Sequence, residues 1–186
     1  MIMDIAGALI SALSSAGVKN VYGVPGDYVL GLFSRFDESP DINLVCTAGE
    51  EGAAFAADAE AKLTGLGVCM VTYGVGALKI LNAIGGAYAE YSPVLVICGV
   101  PGLKEDRGND QTLIHHNIYK QGEDSVQRRM FEEVCVETGS LSSARTAVQI
   151  ILKVLNSIKS NSRPGYIQVP RDRIASYPPV GSRKHK

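Results

Sequence analysis

Stretches with helical spacing and short β-rich runs take turns along this chain, and that alternation constrains its fold more than any other feature. Apolar residues recur at three- and four-residue spacing over about 4–16, 27–37, 50–64, 76–90 and 143–159, with a short helix after a polar loop at about 101–122. Between them lie KNVYG (19–23), INLVC (42–46), GVCMVTY (67–73), PVLVIC (93–98), EVCVE (133–137) and GYIQV (165–169). Strands separated by helices in this way join one sheet through right-handed crossovers, which predicts an open, six-stranded parallel sheet with helices on both faces. The central runs are continuously apolar, as strands buried on both faces must be. The class is therefore α/β. A chain of 186 residues suits one core, so a single domain is expected over 1–170, with a polar, frayed tail over 171–186.

Eighteen Lys and Arg against nineteen Asp and Glu leave a net charge of −1, so no long-range field draws in nucleic acid or an anionic membrane. Neither is expected as a partner. No run approaches the roughly 18 apolar residues of a membrane span. The opening MIMDIAGALISALSSAG has no basic leader and is interrupted by Asp4, so it reads as a helix of a soluble cytoplasmic protein and not as a signal peptide. Cys46, Cys69, Cys98 and Cys135 each sit alone in an apolar run, which predicts buried free thiols and no metal site or disulfide framework.

Ligands of open parallel sheets bind beyond the carboxyl ends of the strands, so the polar residues delivered to that edge are the candidates for chemistry. Gly26 and Asp27 follow the first strand, and Glu50 and Glu51 the second. Thr72-Tyr73-Gly74-Val75-Gly76 follow the third, and His115 and His116 lie in the long loop after the fourth. Singly, each has an ordinary reading: Asp27 as an N-cap of helix 27–37, the two glutamates as acids in a helix's first turn, the histidines as solvated, and the glycines as a turn. Neither GxGxxG nor GxxxxGK[ST] occurs. It is the convergence on one rim that points to a site.

A family resemblance joins these positions. Gly23-Val24-Pro25-Gly26-Asp27-Tyr28 resembles the GxPGDY segment of pyruvate, indolepyruvate and phenylpyruvate decarboxylases. Glu50 with Ala53-Ala54-Phe55-Ala56-Ala57-Asp58 is similar to their E-x-x-A-A-Y-A-A-D helix, and Leu113-Ile114-His115-His116 to their L-x-H-H motif. Thr72 to Leu78 and Asn82 to Glu90 are similar to T-[YF]-x-V-G-x-L and I-[AG]-G-[AS]-Y-A-E. The likeness spans about 4–170 in the expected order. Val29 departs from the family's usual Asn, and the sequence contains no GDG, the start of the motif that holds Mg²⁺ in the family's diphosphate-binding domain.

The resemblance implies the pyrimidine-binding domain of a thiamine diphosphate-dependent 2-oxo-acid decarboxylase. Its cofactor contacts would be Pro25, Gly26, Glu50, Thr72, Gly74, Val75 and Asn82. Glu50 would hydrogen-bond a pyrimidine nitrogen and favour the imino tautomer that takes the thiazolium C2 proton. Asp27, His115 and His116 would handle later proton transfers as a coupled group. No metal ligand is assigned to this chain, and Mg²⁺ is expected in a partner. The expected assembly is a hetero-oligomer with a dimeric or tetrameric core. In it, this chain is the α-type subunit of a split decarboxylase, sharing thiamine diphosphate with a diphosphate-binding domain on another polypeptide. Met1 lies close to the family's own start and the tail follows the last strand, so both ends are expected to be natural. The rival readings are an excised domain, a carboligating, acyloin-forming thiamine enzyme, and a non-catalytic binding or regulatory subunit.

Overall fold

The computed structural model describes residues 3–103, 105 and 126–178. In chain order the elements are α1 (Ile5–Ser15), β1 (Asn20–Gly23), α2 (Leu30–Asp37), β2 (Asn43–Cys46), α3 (Glu50–Thr64), β3 (Gly67–Thr72) and α4 (Val75–Lys79). There follow α5 (Leu81–Ala89), β4 (Val94–Val100), α6 (Val126–Glu132), β5 (Glu137–Ser140), α7 (Ala144–Asn161) and β6 (Gly165–Pro170). The six strands form one sheet in the order β2-β1-β3-β4-β6-β5, every pair parallel. The α/β architecture expected from the alternation is the one observed.

Alternate residues of the central strands feed two separate cores. Val68, Met70, Leu95 and Ile97 point to the face covered by α1, α2 and α7, where Leu9, Phe36, Ile151 and Ile158 meet them. Cys69, Val71, Val96 and Cys98 point to the face covered by α3 to α6, with Ile84 and Phe131. On that second face α3 buries only alanines, Ala53, Ala54, Ala57 and Ala61. Small side chains let its backbone approach β3 so closely that a Cβ built on Gly67 would lie 1.8 Å from the Ala57 carbonyl oxygen. Among the described residues no helix is long and apolar enough to cross a membrane.

Four expectations need correction. The strand read at 133–137 is displaced: residues 133–136 are the approach to the sheet, Cys135 packing into the second core, and ladder pairing starts only where Glu137 meets Gly165. Apolar alternation marked the buried approach rather than the pairing. The helix read over 76–90 breaks at Ile80, whose ψ of −7° and N–H bond to the Ala77 carbonyl make a tight turn between α4 and α5. Cys46 is exposed at the end of the edge strand, unlike Cys69, Cys98 and Cys135. Burial pushes the Cys69 and Cys98 thiols up to about 12, which keeps them protonated and unreactive. Finally, the chain after Pro170 is docked at least as far as Ser176: Ile5 and Ala6 donate their N–H groups to the Ser176 and Ile174 carbonyls, and Ile174 is buried.

Asp4 anchors this same corner. Its carboxylate caps α1 by accepting the Gly7 N–H at 2.8 Å and pairs with Arg35 of α2 while itself only 4% exposed. Burial works to raise its pKa, but the bonds from Arg35 and the Gly7 amide outweigh that and hold the carboxyl below its ordinary value. A depressed folded-state pKa gives stability that is present above the unfolded pKa, about 3.9, and is lost as pH falls through the folded one. Acid titration of melting temperature should therefore show a decline beginning near pH 4 that is shallower in Asp4→Asn. An unchanged slope in that variant would discount the pair.

Candidate active site at the carboxyl edge of the sheet

The strand order reverses direction between β1 and β3: the chain leaves β1 towards β2 and leaves β3 towards β4. The crevice at such a switch point is where open α/β sheets bind ligands. Here the turns after β1 and β3 touch. A Cβ on Gly26 would lie 2.9 Å from Thr72 Cβ, so only glycine lets the two turns meet. Gly74, with φ +70° and ψ −126°, adopts a conformation reserved for glycine and launches α4 from the end of β3.

Glu50 reaches this contact from β2's side. As the first residue of α3 it turns its carboxylate against α4, where a Cβ on Gly76 would lie 3.5 Å from Glu50 Oε1 and 2.9 Å from Thr72 Cγ2. The Glu50 side chain is 20% exposed, and its Oε2 pairs with Lys79 Nζ at 3.3 Å. Glu51 is exposed. Thr72 Oγ1 is buried and has no hydrogen-bond partner among the described residues. Gly26, Glu50, Thr72, Gly74 and Gly76 thus form one cluster, with Val75 exposed at its rim.

Asp27 and Pro25 are exposed in the turn before α2. The helix begins at Leu30 and not at residue 27, because the Gly26 carbonyl accepts the N–H groups of both Val29 and Leu30 and makes residues 27–29 a turn. Asp27 is therefore not the N-cap of α2. Tyr28 locks this turn to the one after β3 by an edge-to-face contact with Tyr73, ring centroids 4.7 Å apart. Asn82 is exposed on α5, and no described contact ties it to Glu50 or Thr72. His115 and His116 lie outside the described residues. No group of three or more His, Cys, Asp or Glu among the described residues could hold a metal.

Three residues at this edge were missed in the sequence. Lys79 meets Glu50 across 29 positions. Gln127, at the start of α6, accepts the Gly74 N–H at 2.7 Å. Arg171 stands 4.6 Å from the Tyr28 ring centroid and pairs with Glu105. That pairing raises its pKa against the opposing effect of burial, with smaller contributions from Tyr28 and Asp27, so a fixed positive charge stands near Asp27. Arg171 had been assigned to the tail. Its position immediately after a strand end was the one available signal.

A parallel sheet with an acid, a glycine-only turn and an orphaned hydroxyl at its switch point has the layout of a ligand-binding α/β domain. Residues 3–126 match the family described as thiamine pyrophosphate enzyme, N-terminal TPP binding domain, and the chain belongs to it. Indole-3-pyruvate decarboxylase of Azospirillum brasilense is 40% identical over 182 residues, covering 96% of this chain and 32% of that protein. Alpha-keto-acid decarboxylase of Mycobacterium leprae is 35% identical, covering 91% of this chain and 29% of its own length. Pyruvate decarboxylase of Aspergillus fumigatus is 34% identical, covering 92% and 30%. The chain thus spans about a third of the length of the curated relatives it matches. This bears out the resemblance drawn from the GDY, E-x-x-A-A and L-x-H-H segments.

Proposed function

We propose that this chain is the pyrimidine-binding half of a thiamine diphosphate-dependent 2-oxo-acid decarboxylase and acts with a diphosphate- and Mg²⁺-binding domain carried on another polypeptide. The observation that carries the reading is the Glu50 carboxylate, set against Gly76 and beside the unpartnered Thr72 hydroxyl at the switch-point crevice. These residues fit an aminopyrimidine: Glu50 offers a carboxylate oxygen, Thr72 an unpartnered hydroxyl, and the missing side chains of Gly26 and Gly76 let the turns close on Thr72 and bring it beside Glu50. When bound, thiamine diphosphate supplies the electron sink that lets a 2-oxo acid lose CO₂.

The chain's own part is orientation and proton control. Glu50 would hydrogen-bond a pyrimidine nitrogen through the oxygen set against Gly76, while its other oxygen pairs with Lys79. The Thr72 hydroxyl would offer the ring a hydrogen bond, and the Gly74 turn holds Thr72 and Val75 on either side of it. Asp27, with the charge of Arg171 nearby, stands at the open side where substrate enters. His115 and His116 complete the proton-transfer set in this reading. No GDG occurs among the 186 residues, so in this reading the diphosphate and Mg²⁺ are held by a domain outside them.

Affinity purification of the natural chain from its source tests the arrangement. A companion bearing GDG…N should co-elute, and the pair should release CO₂ and an aldehyde from a 2-oxo acid while the chain alone does not. Robust turnover by the purified chain alone would overturn the split site. A coupled acyloin product in place of free aldehyde would favour carboligation.

A further inference from the structure

Gln127 is one of three buried polar or charged side chains among the described residues, at 3% exposure. Burying an amide is costly unless it is hydrogen-bonded, and this one is bonded at both ends. Its Oε1 accepts the Gly74 N–H at 2.7 Å, while its Nε2 donates to Tyr166 Oη at 2.7 Å and to Cys98 Sγ at 3.2 Å. A backbone N–H can only donate, so Gly74 itself decides which end of the amide carries oxygen. Tyr166 is fully buried and stacked on Phe131 at 4.4 Å, which fixes the other end. One side chain therefore ties the turn after β3 to the start of β6 and the second half of β4.

The partner of this bond is the residue whose backbone is least ordinary. Gly74 is the N-cap of α4, has no side chain with which to cap it, and holds φ +70° and ψ −126°. Left unbonded, its buried N–H would go unsatisfied, which favours another turn geometry. Thr72 and Val75 flank it, so a change there re-aims both.

We propose that Gln127 is a positioning residue for the cofactor-facing turn, holding Gly74 so that Thr72 and Val75 meet the aminopyrimidine in the right geometry. This rests on the pyrimidine-site reading above. Gln127 acts through Gly74 and touches no reacting atom.

Gln127→Met keeps length and bulk but removes the acceptor; Gln127→Glu keeps an acceptor. In the full ¹⁵N-labelled chain, the Gly74 amide of the Met variant should exchange about 10–100-fold faster relative to the Leu95 and Ile97 amides. In complex with the diphosphate-binding domain, titrated thiamine diphosphate with Mg²⁺, followed by amide shifts, should bind about tenfold more weakly to it. The Glu variant should recover Gly74 protection. If the Met variant does not fold, Tyr166→Phe loosens the same amide and should also speed Gly74 exchange. A purely structural plug would change exchange at all three amides together and leave the affinity ratio near one. That result overturns the proposal alone. Failure of millimolar thiamine diphosphate with Mg²⁺ to perturb Glu50, Thr72 or Gly74 in the complex of the unaltered chain with its diphosphate-binding domain sinks the cofactor reading and the proposal with it.

Discussion

Glu50→Gln should slow hydrogen–deuterium exchange at C2 of thiamine diphosphate by about 100-fold or more in the complex of this chain with the proposed diphosphate-binding domain, and Glu51→Gln should leave it unchanged. Consecutive helix positions project about 100° apart, so only one of two adjacent glutamates can face a given ring. Glu50 is the one set against Gly76 and Lys79, and Glu51 is exposed. The amide of Gln keeps the size and a hydrogen-bonding oxygen but carries no exchangeable carboxyl proton, so folding and assembly should persist while proton transfer fails. Circular dichroism and co-elution with the partner check the first point. Fast exchange in the Glu50 variant removes the assignment; a slow Glu51 variant shifts it by one residue.

Gly99→Ala should lower stability by about 3 kcal/mol or more and move the turn that carries Asp27. Gly99 lies in β4 opposite Thr72, and a Cβ there would sit 2.2 Å from the Tyr28 carbonyl oxygen and 2.7 Å from Val29 Cα. Both are backbone atoms, so no side chain can swing aside and residues 27–29 must retreat from the sheet. At roughly 2–4 °C per kcal/mol for a chain of this size, the melting temperature should fall by about 6–12 °C. Gly86→Ala is the control: a Cβ at that exposed position in α5 meets nothing within 4 Å, so the change should stabilise slightly. A Gly99 variant that melts with the unaltered chain would show that the turn yields without cost.

Which features were readable beforehand follows from the range of the interactions that make them. Helices α1, α3 and α7 and strands β3 and β4 were legible because their patterns are local: helical spacing in one case, unbroken apolar runs in the other. The Glu50 register came from the same helix. Strand β5 was misplaced because its ETGS sequence has weak strand character and is held as a strand by β6, whose first residue lies 28 positions further on. The partners of the site were hidden for the same reason. Lys79 and Gln127 look like surface helix residues until a crossover brings α4 beside Glu50 and α6 beside Gly74, the latter across 53 positions. Arg171 was lost to a composition argument, since a polar stretch after a proline resembles a tail whether or not it docks.

The order of the strands also governs how this chain can be made. β6 follows the other five described strands in the chain, yet it lies inside the sheet, between β4 and β5. While the ribosome has yet to release Gly165–Pro170, β4 has an open side and β5 has no neighbour at all. The four strands β2-β1-β3-β4 can associate early, but Leu95 to Val100 must wait for their second set of partners. Such a nascent chain exposes an apolar strand edge throughout translation, the condition under which edges recruit other chains. A chain cut before residue 165 should therefore carry an open apolar edge on β4 and aggregate more readily than the full chain.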